Sequence, residues 1–336
     1  MAHTGRPVSR RPLESSTLRE AAGAFGLDPA ALEFVRDVAN IVYRHEGPNG
    51  ADRGVCFLRL TDAADRAPGE VRAEIDWIRY LADTGLPVCR PLPARDGAWT
   101  VQLDGETTAS CFARVRGRPC LPEDFDERIF RLMGRFLGRL HRVSAGYAPP
   151  PGSAPRLHWH ELDPPERVLA SWSAEDDALA RRFTDLRRRL ADRSGASGPE
   201  GGYGLIHGDV HRGNIFVHDG GIDVYDFDDC CRAPLAMDVA HALFHSLWDR
   251  RYQPEDERAA FADRFLARLL EGYRGERAFG DEELALLPDL LEYRELAVDA
   301  FSHRRHTSPD AETRRRWAHV RDRLARGAPY VRLAGS

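Results

Sequence analysis

The sequence predicts an α+β protein in two lobes, a small antiparallel sheet with one inserted helix followed by a longer and mainly helical part. Three observations carry that reading. Short β-branched and aromatic runs crowd the chain up to about Val115, and helical periodicity takes over from Phe125. At 336 residues and 42% hydrophobic content, the chain can also bury more than one small core.

Residues 1–16 carry arginine with no apolar run behind it, so they read as a disordered tail and not as a secretory signal. TLREAAGAFGLDPAALE, residues 17–33, is expected to be a helix broken at Gly26 and restarted after Asp28-Pro29. FVRDV, IVYRHE and, after the turn GPNGADRG, VCFLRL read as three strands. In Glu70–Asp83 the apolar Val71, Ile75, Ile78 and Leu81 form a helical stripe. AWTVQL and ASCFARV are two more strands, with DGETT as the turn between them. Residues 17–111 therefore form a β-β-β-α-β-β lobe, 112–117 a hinge, and 118–336 a helical lobe.

Within the second lobe, Ile129, Leu132, Phe136, Leu137 and Leu140 share one helix face. YAPPPGSAPR breaks that helix, further helical stretches run to Arg193, and SGASGPEGGYG is a loop. Helices resume late in the chain and reach about Arg326. His158-Trp159-His160 has metal-like spacing on a strand, but no carboxylates accompany it.

Composition removes several function classes. The net charge of −5 gives no reason to expect nucleic acid or a membrane surface as partner. No apolar run approaches the ~18 residues of a transmembrane span. The six cysteines include no CxxC pair, and Cys230-Cys231 are too close for an unstrained disulfide, which fits a reduced cytoplasmic protein. The chain has no lysine, since all 48 Lys+Arg are arginine. Lysine Schiff-base chemistry and the Walker A loop are thereby excluded.

The chemistry concentrates in LIHGDVHRGNIFVHDGGIDVYDFDDC, residues 205–230. Ile215–His218 and Ile222–Tyr225 read as two strands around Asp219-Gly220-Gly221. If His218 pairs with Ile222, Asn214 falls opposite Asp226 at about 4.5–5.5 Å between Cα atoms. An amide oxygen and a carboxylate at that spacing suit Mg²⁺, a hard cation that takes oxygen ligands. His207-Gly208-Asp209 followed by Asn214 has the H-x-D-x-x-x-x-N spacing of the protein-kinase catalytic loop. There the Asp accepts the substrate hydroxyl proton and the Asn binds metal. Asp226-Phe227-Asp228 stands where that loop's metal-binding Asp-Phe-Gly would follow.

HGDVHRGN followed by YDFDD resembles the aminoglycoside phosphotransferase and choline kinase superfamily, with the pattern of its homoserine-kinase-like and stress-response-kinase-like members. The resemblance covers about residues 33 to 305. It implies a two-lobed protein-kinase-like fold, ATP or GTP as phosphoryl donor with Mg²⁺, and a small-molecule hydroxyl as acceptor. Residue by residue, it implies Asp209 as catalytic base and Asn214 and Asp226 as metal ligands. Asp228 or Asp229 would add a metal contact or a cap. His207 would pack the loop, His211 would brace it or approach phosphate, and Asp238 would brace it from a helix.

In the first lobe, the resemblance puts Arg59 where kinases keep a phosphate-contacting Lys, with Glu74 as its ion-pair partner. Arg presents a planar fork where Lys presents a point charge, so this is a departure from the kinase pattern. Asn40 would lie near the phosphates, and Phe112, Arg114 and Val115 would belong to the hinge that meets the purine. Asp289, Glu292 and Asp299 are expected either to line an acidic pocket for a cationic acceptor or to form a solvated helix face. A protein Ser/Thr kinase and a nucleotide-binding pseudokinase are the alternatives, the latter motivated only by Arg59.

Overall fold

The computed structural model describes residues 15–37, 40–47, 54–162, 165–173, 176–194, 202–306 and 308–334. The expected tail over 1–16 lies outside them except for Ser15 and Ser16, which open the first helix, and so does most of the GPNGADRG turn. The chain divides into two compact units. The first comprises Met1–Pro119, Gly146–Arg156 and Ile215–Asp228; the second comprises Cys120–Ala145, Leu157–Asn214 and Asp229–Ser336.

In the first unit, α1 (Ser15–Phe25) ends at Gly26, whose φ of +71° suits a residue without Cβ. The expected restart is a single 3₁₀ turn, Pro29–Ala31, capped by Asp28 Oδ1 accepting from the Ala30 amide at 3.0 Å. The chain then enters β1 (Leu32–Asp37), followed by β2 (Ile41–Glu46), β3 (Val55–Asp62), β4 (Pro91–Leu92), β5 (Val101–Leu103) and β6 (Thr107–Ala113). These pair antiparallel in the order β1-β2-β3-β6-β4, with β5 also on β6. The two-residue β4 was not expected, because two residues cannot show alternation and one of them is proline. The helix inserted after β3 is α2 (Pro68–Asp83), which buries Val71, Ile75, Ile78 and Leu81.

Side chains alternate along β3, and this alternation sets up the chemistry. Cys56, Leu58 and Leu60 pack with Ala21, Ala22 and Phe25 of α1 in a buried cluster. Arg59 lies on the opposite face, where α2 brings Glu74.

A second small sheet of the first unit runs β7 (Arg118–Pro119), β9 (Ile215–His218) and β10 (Gly221–Val224), with β9 in the middle. The hairpin is one residue tighter than expected. His218 pairs with Gly221 and Ile215 with Val224, so the register assumed for Asn214 and Asp226 does not hold. Gly221 at φ +145° joins the strand, leaving Asp219-Gly220 as a two-residue loop. Gly117 at φ +82° explains why the hairpin packs with residues that precede the helical part. A Cβ there would stand 2.1 Å from the Val217 carbonyl oxygen. Beside it, Arg116 grips Asp223 with its backbone amide (2.9 Å), Nε (3.1 Å) and Nη2 (2.7 Å).

The second unit is helical. α3 (Glu127–Ser144) is followed by the short α4 (Trp159–Leu162) and α5 (Pro165–Leu169), then α6 (Asp177–Ser194). After β8 (Tyr203–Ile206) and β11 (Cys231–Pro234), which pair antiparallel, come α7 (Ala236–Leu247) and α8 (Glu255–Arg274). The last helices are α9 (Asp281–Leu284), α10 (Leu287–Arg305) and α11 (Ala311–Ala325). α3 and α8 cross at glycines: a Cβ on Gly134 would meet the Leu269 carbonyl oxygen at 1.7 Å, and one on Gly272 that of Arg131 at 2.0 Å. His158-Trp159-His160 is not a strand. His158 forms one bridge to Arg232 and bonds the Tyr203 hydroxyl at 2.7 Å, while Trp159 and His160 open α4.

All six cysteines are buried. Among the described residues, no helix is long and apolar enough to cross a membrane.

Candidate active site

The loop after β8 is held by backbone geometry before any side chain acts. Gly208 sits at φ +87°, and a Cβ there would lie 2.4 Å from the Asp229 carbonyl oxygen. Asp238, in the first turn of α7 and fully buried, accepts the amides of His207 at 2.9 Å and Gly208 at 2.8 Å. Its Oδ2 also meets His141 Nε2 at 3.0 Å, and His141 Nδ1 meets the Tyr273 hydroxyl at 2.8 Å. Burial works against the Asp238 charge, but His141 and His207 hold its pKa below the ordinary value. His241 closes the cage. Burial and Arg294 push its pKa down to about 3, so the ring is neutral and its Nδ1–H donates to the Gly208 carbonyl at 2.6 Å.

This cage delivers Asp209. Its backbone amide donates to His207 Nδ1 at 3.2 Å, which gives the buried His207 the loop-bracing role expected of it. Asn214 Nδ2 donates to the Asp209 carbonyl at 3.0 Å and to its Oδ2 at 3.2 Å. With the NH₂ end turned inward, the Asn214 side-chain oxygen is the end left for a cation. His211 Nε2 stands 3.3 Å from Oδ2, and His245 Nε2 3.2 Å from Oδ1. Burial opposes the charge of Asp209, yet His211 and His245 hold its pKa well below the ordinary carboxylate value. Asp209 is therefore ionised at neutral pH.

Sequence reasoning missed two partners of this carboxylate, His245 and Arg294. Arg294 of α10 places Nη2 2.7 Å from Asp209 Oδ1 and 3.1 Å from His245 Nε2. It is the one arginine in the acidic stretch from Asp281 to Asp299, which was the only signal available. Asp209, His211 and His245 could in principle ligate a metal, as their ligand atoms lie within 4.8 Å of one another. The Arg294 guanidinium already supplies a cation there, so we assign no metal to that trio.

In the first unit, Asp226 and Asp228 are engaged from the β1–β2 side. Arg36 Nη2 reaches Asp226 Oδ2 at 2.8 Å, and Asn40 Nδ2 reaches Asp228 Oδ2 at 3.0 Å. Thr61 holds Asn40 in turn, its hydroxyl donating to the amide oxygen at 2.7 Å. Asp226 adopts φ +72°, the left-handed region that Asp tolerates better than most residues. Strain of that kind is characteristic of functional positions. Asp226 and Asp228 offer only hard oxygens, which fits Mg²⁺ better than softer metals. Nothing in the sequence pattern pointed to Arg36.

Arg59 and Glu74 form a buried two-pronged pair, Nη1 to Oε1 at 2.7 Å and Nη2 to Oε2 at 2.9 Å. Arg59 Nε donates to Ser110 Oγ at 3.2 Å, and the guanidinium lies 5.0 Å from the centroid of the buried Phe112 ring. Although burial disfavours its charge, Glu74, Asp228 and Asp226 raise the Arg59 pKa, so the cation is permanent. Truncating one member of such a pair strands the other charge and costs about 3–5 kcal/mol. We expect Arg59→Ala to lose roughly 10²-fold in kcat/KM and to melt earlier. Arg59→Lys should resemble Ala more than wild type, because an ammonium cannot reach both Glu74 oxygens and Ser110 together. Steady-state kinetics with nucleotide varied checks this; near-normal activity of the Lys variant would mean that charge alone matters.

At the expected hinge, the Arg114 amide is committed to the Val55 carbonyl at 3.1 Å and its Nη2 to the Gly117 carbonyl at 3.0 Å. The Val115 amide makes no hydrogen bond among the described residues.

The acidic pocket expected of Asp289, Glu292 and Asp299 is not formed, and neither is a solvated face. Glu292 is bound by Arg182 Nε and Nη2 at 2.5 and 2.7 Å. Asp289 is bound by Arg189 at 2.9 Å, and Arg193 lies 3.6 Å from it. Asp299 is buried, accepts from Trp172 Nε1 at 2.9 Å, and has its pKa pushed up to about 6 by that burial.

The comparisons with known proteins agree with this architecture. The model of the phosphotransferase enzyme family matches residues 32–287. An amicoumacin kinase of Bacillus subtilis is 27% identical over 294 residues, 86% of this chain and 85% of its own length. Among solved structures, an amicoumacin kinase in complex with AMP-PNP, Ca²⁺ and Ami matches with a TM-score of 0.86 at 25% identity, covering 95% of each chain. A microcompartment-associated aminopropanol kinase shares the fold, with a TM-score of 0.72 at 22% identity over 94% of this chain and 98% of its own.

Proposed function

The chain belongs to the phosphotransferase enzyme family, and from that premise we propose that it transfers the γ-phosphoryl group of ATP or GTP, with Mg²⁺, to a hydroxyl of a small molecule. The observation that carries this reading is the Asp209 carboxylate, ionised and fixed on a glycine-dependent loop by His207, Asn214 and the Asp238 cage. A carboxylate of such low basicity does not strip a hydroxyl in advance. It orients the hydroxyl and takes its proton late, as a loose phosphoryl-transfer transition state allows.

Asn214, Asp226 and Asp228 are the residues that would hold Mg²⁺, which when bound neutralises charge on the transferring phosphates. Arg59, fixed by Glu74, adds a permanent positive charge for the phosphates. Asn40 keeps Asp228 in place, and His211 steadies Asp209 or approaches phosphate. Val115, between Arg114 and the Arg116–Asp223 clamp, has the amide that suits a purine edge, and Phe112 packs beneath Arg59.

The acceptors compatible with this core are an antibiotic such as an aminoglycoside, an amino alcohol, a sugar or a homoserine-like metabolite. The test is a panel of these with ATP and with GTP, monitoring nucleoside diphosphate release. We expect release that depends on both acceptor and Mg²⁺. Release at the same slow rate with every acceptor and with none would overturn the reading.

A further inference from the structure

Arg294 is underused for a residue that only braces a carboxylate. Nη2 alone carries both of its contacts, to Asp209 Oδ1 and to His245 Nε2. Nε is buried without a partner, and Nη1 makes no hydrogen bond among the described residues. A guanidinium has five N–H donors, and a bracing arginine ordinarily spends two nitrogens on one carboxylate. Arg182 does this with Glu292 in the same unit. At Arg294 the Nη1 donors remain for a ligand, since the unpartnered Nε is shut away from solvent.

The surrounding charge makes those donors selective. Asp289, Glu292 and Glu295 of α10 each have their own arginine, and Asp299 has Trp172. His245 is neutral, its pKa lowered to about 4 chiefly by burial. Beside Asp209 the guanidinium of Arg294 is thus the arginine cation in contact with the carboxylate. An acceptor hydroxyl bonded to Asp209 lies about 2.7 Å from a carboxylate oxygen. Arg294 lies 2.7 Å from the same carboxylate. A carbonyl oxygen four or five bonds from that hydroxyl oxygen is then within reach of the guanidinium.

We infer that Arg294 reads the acceptor, and that the acceptor is a hydroxy compound with a carboxylate or amide carbonyl close to the reacting hydroxyl. This rests on Asp209 being the group that meets the acceptor. It runs against a simple polycation as substrate.

The test uses matched pairs that differ only in the carbonyl group: L-homoserine with 3-aminopropan-1-ol, and L-serinamide with ethanolamine. Calorimetry on the full-length protein with Mg²⁺ and AMP-PNP measures acceptor binding without turnover, and ADP release from ATP is scored separately. The carbonyl-bearing member of at least one pair should bind at least tenfold tighter. Arg294→Ala should reduce that ratio below about twofold with nucleotide affinity retained as the control for folding. Arg294→Lys should keep part of the carboxylate preference and lose that for the amide, since a point charge lacks the fork. Equal or tighter binding of the amino alcohols, a ratio that survives Arg294→Ala, or no binding of either member of both pairs would overturn the inference. Selective binding with no ADP release would count against phosphoryl transfer and leave Arg294 as the reader. ADP release without selectivity would count against Arg294 alone.

Discussion

Asp209→Asn is expected to cut turnover by about 10³-fold, within the range for loss of a general base, and to leave MgATP affinity within about twofold. The reason lies in what the carboxylate touches. Its partners are Asn214, His211, His245 and Arg294, all in the second unit, and its proposed role is toward the acceptor. The substitution keeps the shape but not the symmetry of the acceptor oxygens. One amide oxygen can serve Arg294 or Asn214, but not both as the carboxylate does. Asp209→Asn should therefore also loosen Asn214, seen as a modest rise in the Mg²⁺ concentration needed for half-maximal rate. Single-turnover phosphoryl transfer and nucleotide titration, run on the same preparation, separate the two effects. Turnover within tenfold of wild type would remove Asp209 from the chemistry.

Asp226→Asn and Asp226→Ala should both lose about 10²-fold or more in kcat/KM and shift the Mg²⁺ half-saturation upward at least tenfold, as expected of a lost charged ligand. The pair of variants separates the metal from the backbone. Asn tolerates the left-handed φ of +72°, whereas Ala does not, so Ala alone should lower the melting temperature. Equal loss of activity in the two would point to the carboxylate, and loss confined to Ala would point to the backbone. Asp228→Ala should be milder, because Asp228 already spends an oxygen on Asn40. If instead Asp228→Ala shows the larger Mg²⁺ shift, the ligand assignments within Asp226-Phe227-Asp228 exchange places. Were Asp226 to hold Mg²⁺, the Arg36 guanidinium would be a competing cation on the same carboxylate.

What the sequence revealed and what it hid follow a physical divide. Asp209 and Asn214 were legible because they stand five positions apart on one loop, so their spacing is local. Arg59 and Glu74 were legible because a strand position and the next helix fix a pair only fifteen residues apart. The hairpin register was misjudged by one residue, since Gly221 can serve as turn or strand and only the φ of +145° decides. Arg294 was hidden because its contact with Asp209 spans 85 residues and depends on how α10 packs in its unit, which no local pattern encodes. The same holds for the arginines that neutralise Asp289 and Glu292. From sequence those acids looked unpaired because their partners lie about a hundred residues upstream.

The arginine that stands at position 59, in a chain without lysine, has a practical consequence outside catalysis. Acyl-phosphate nucleotide probes tag ATP-utilising proteins by acylating an ε-amine beside the phosphates. A guanidinium tied to Glu74 and Ser110 is not acylated under those conditions. Surveys that recognise kinases by such labelling would pass this protein by even when it is abundant and active. Arginine-directed dicarbonyl reagents, or capture on immobilised nucleotide, would be needed to find it.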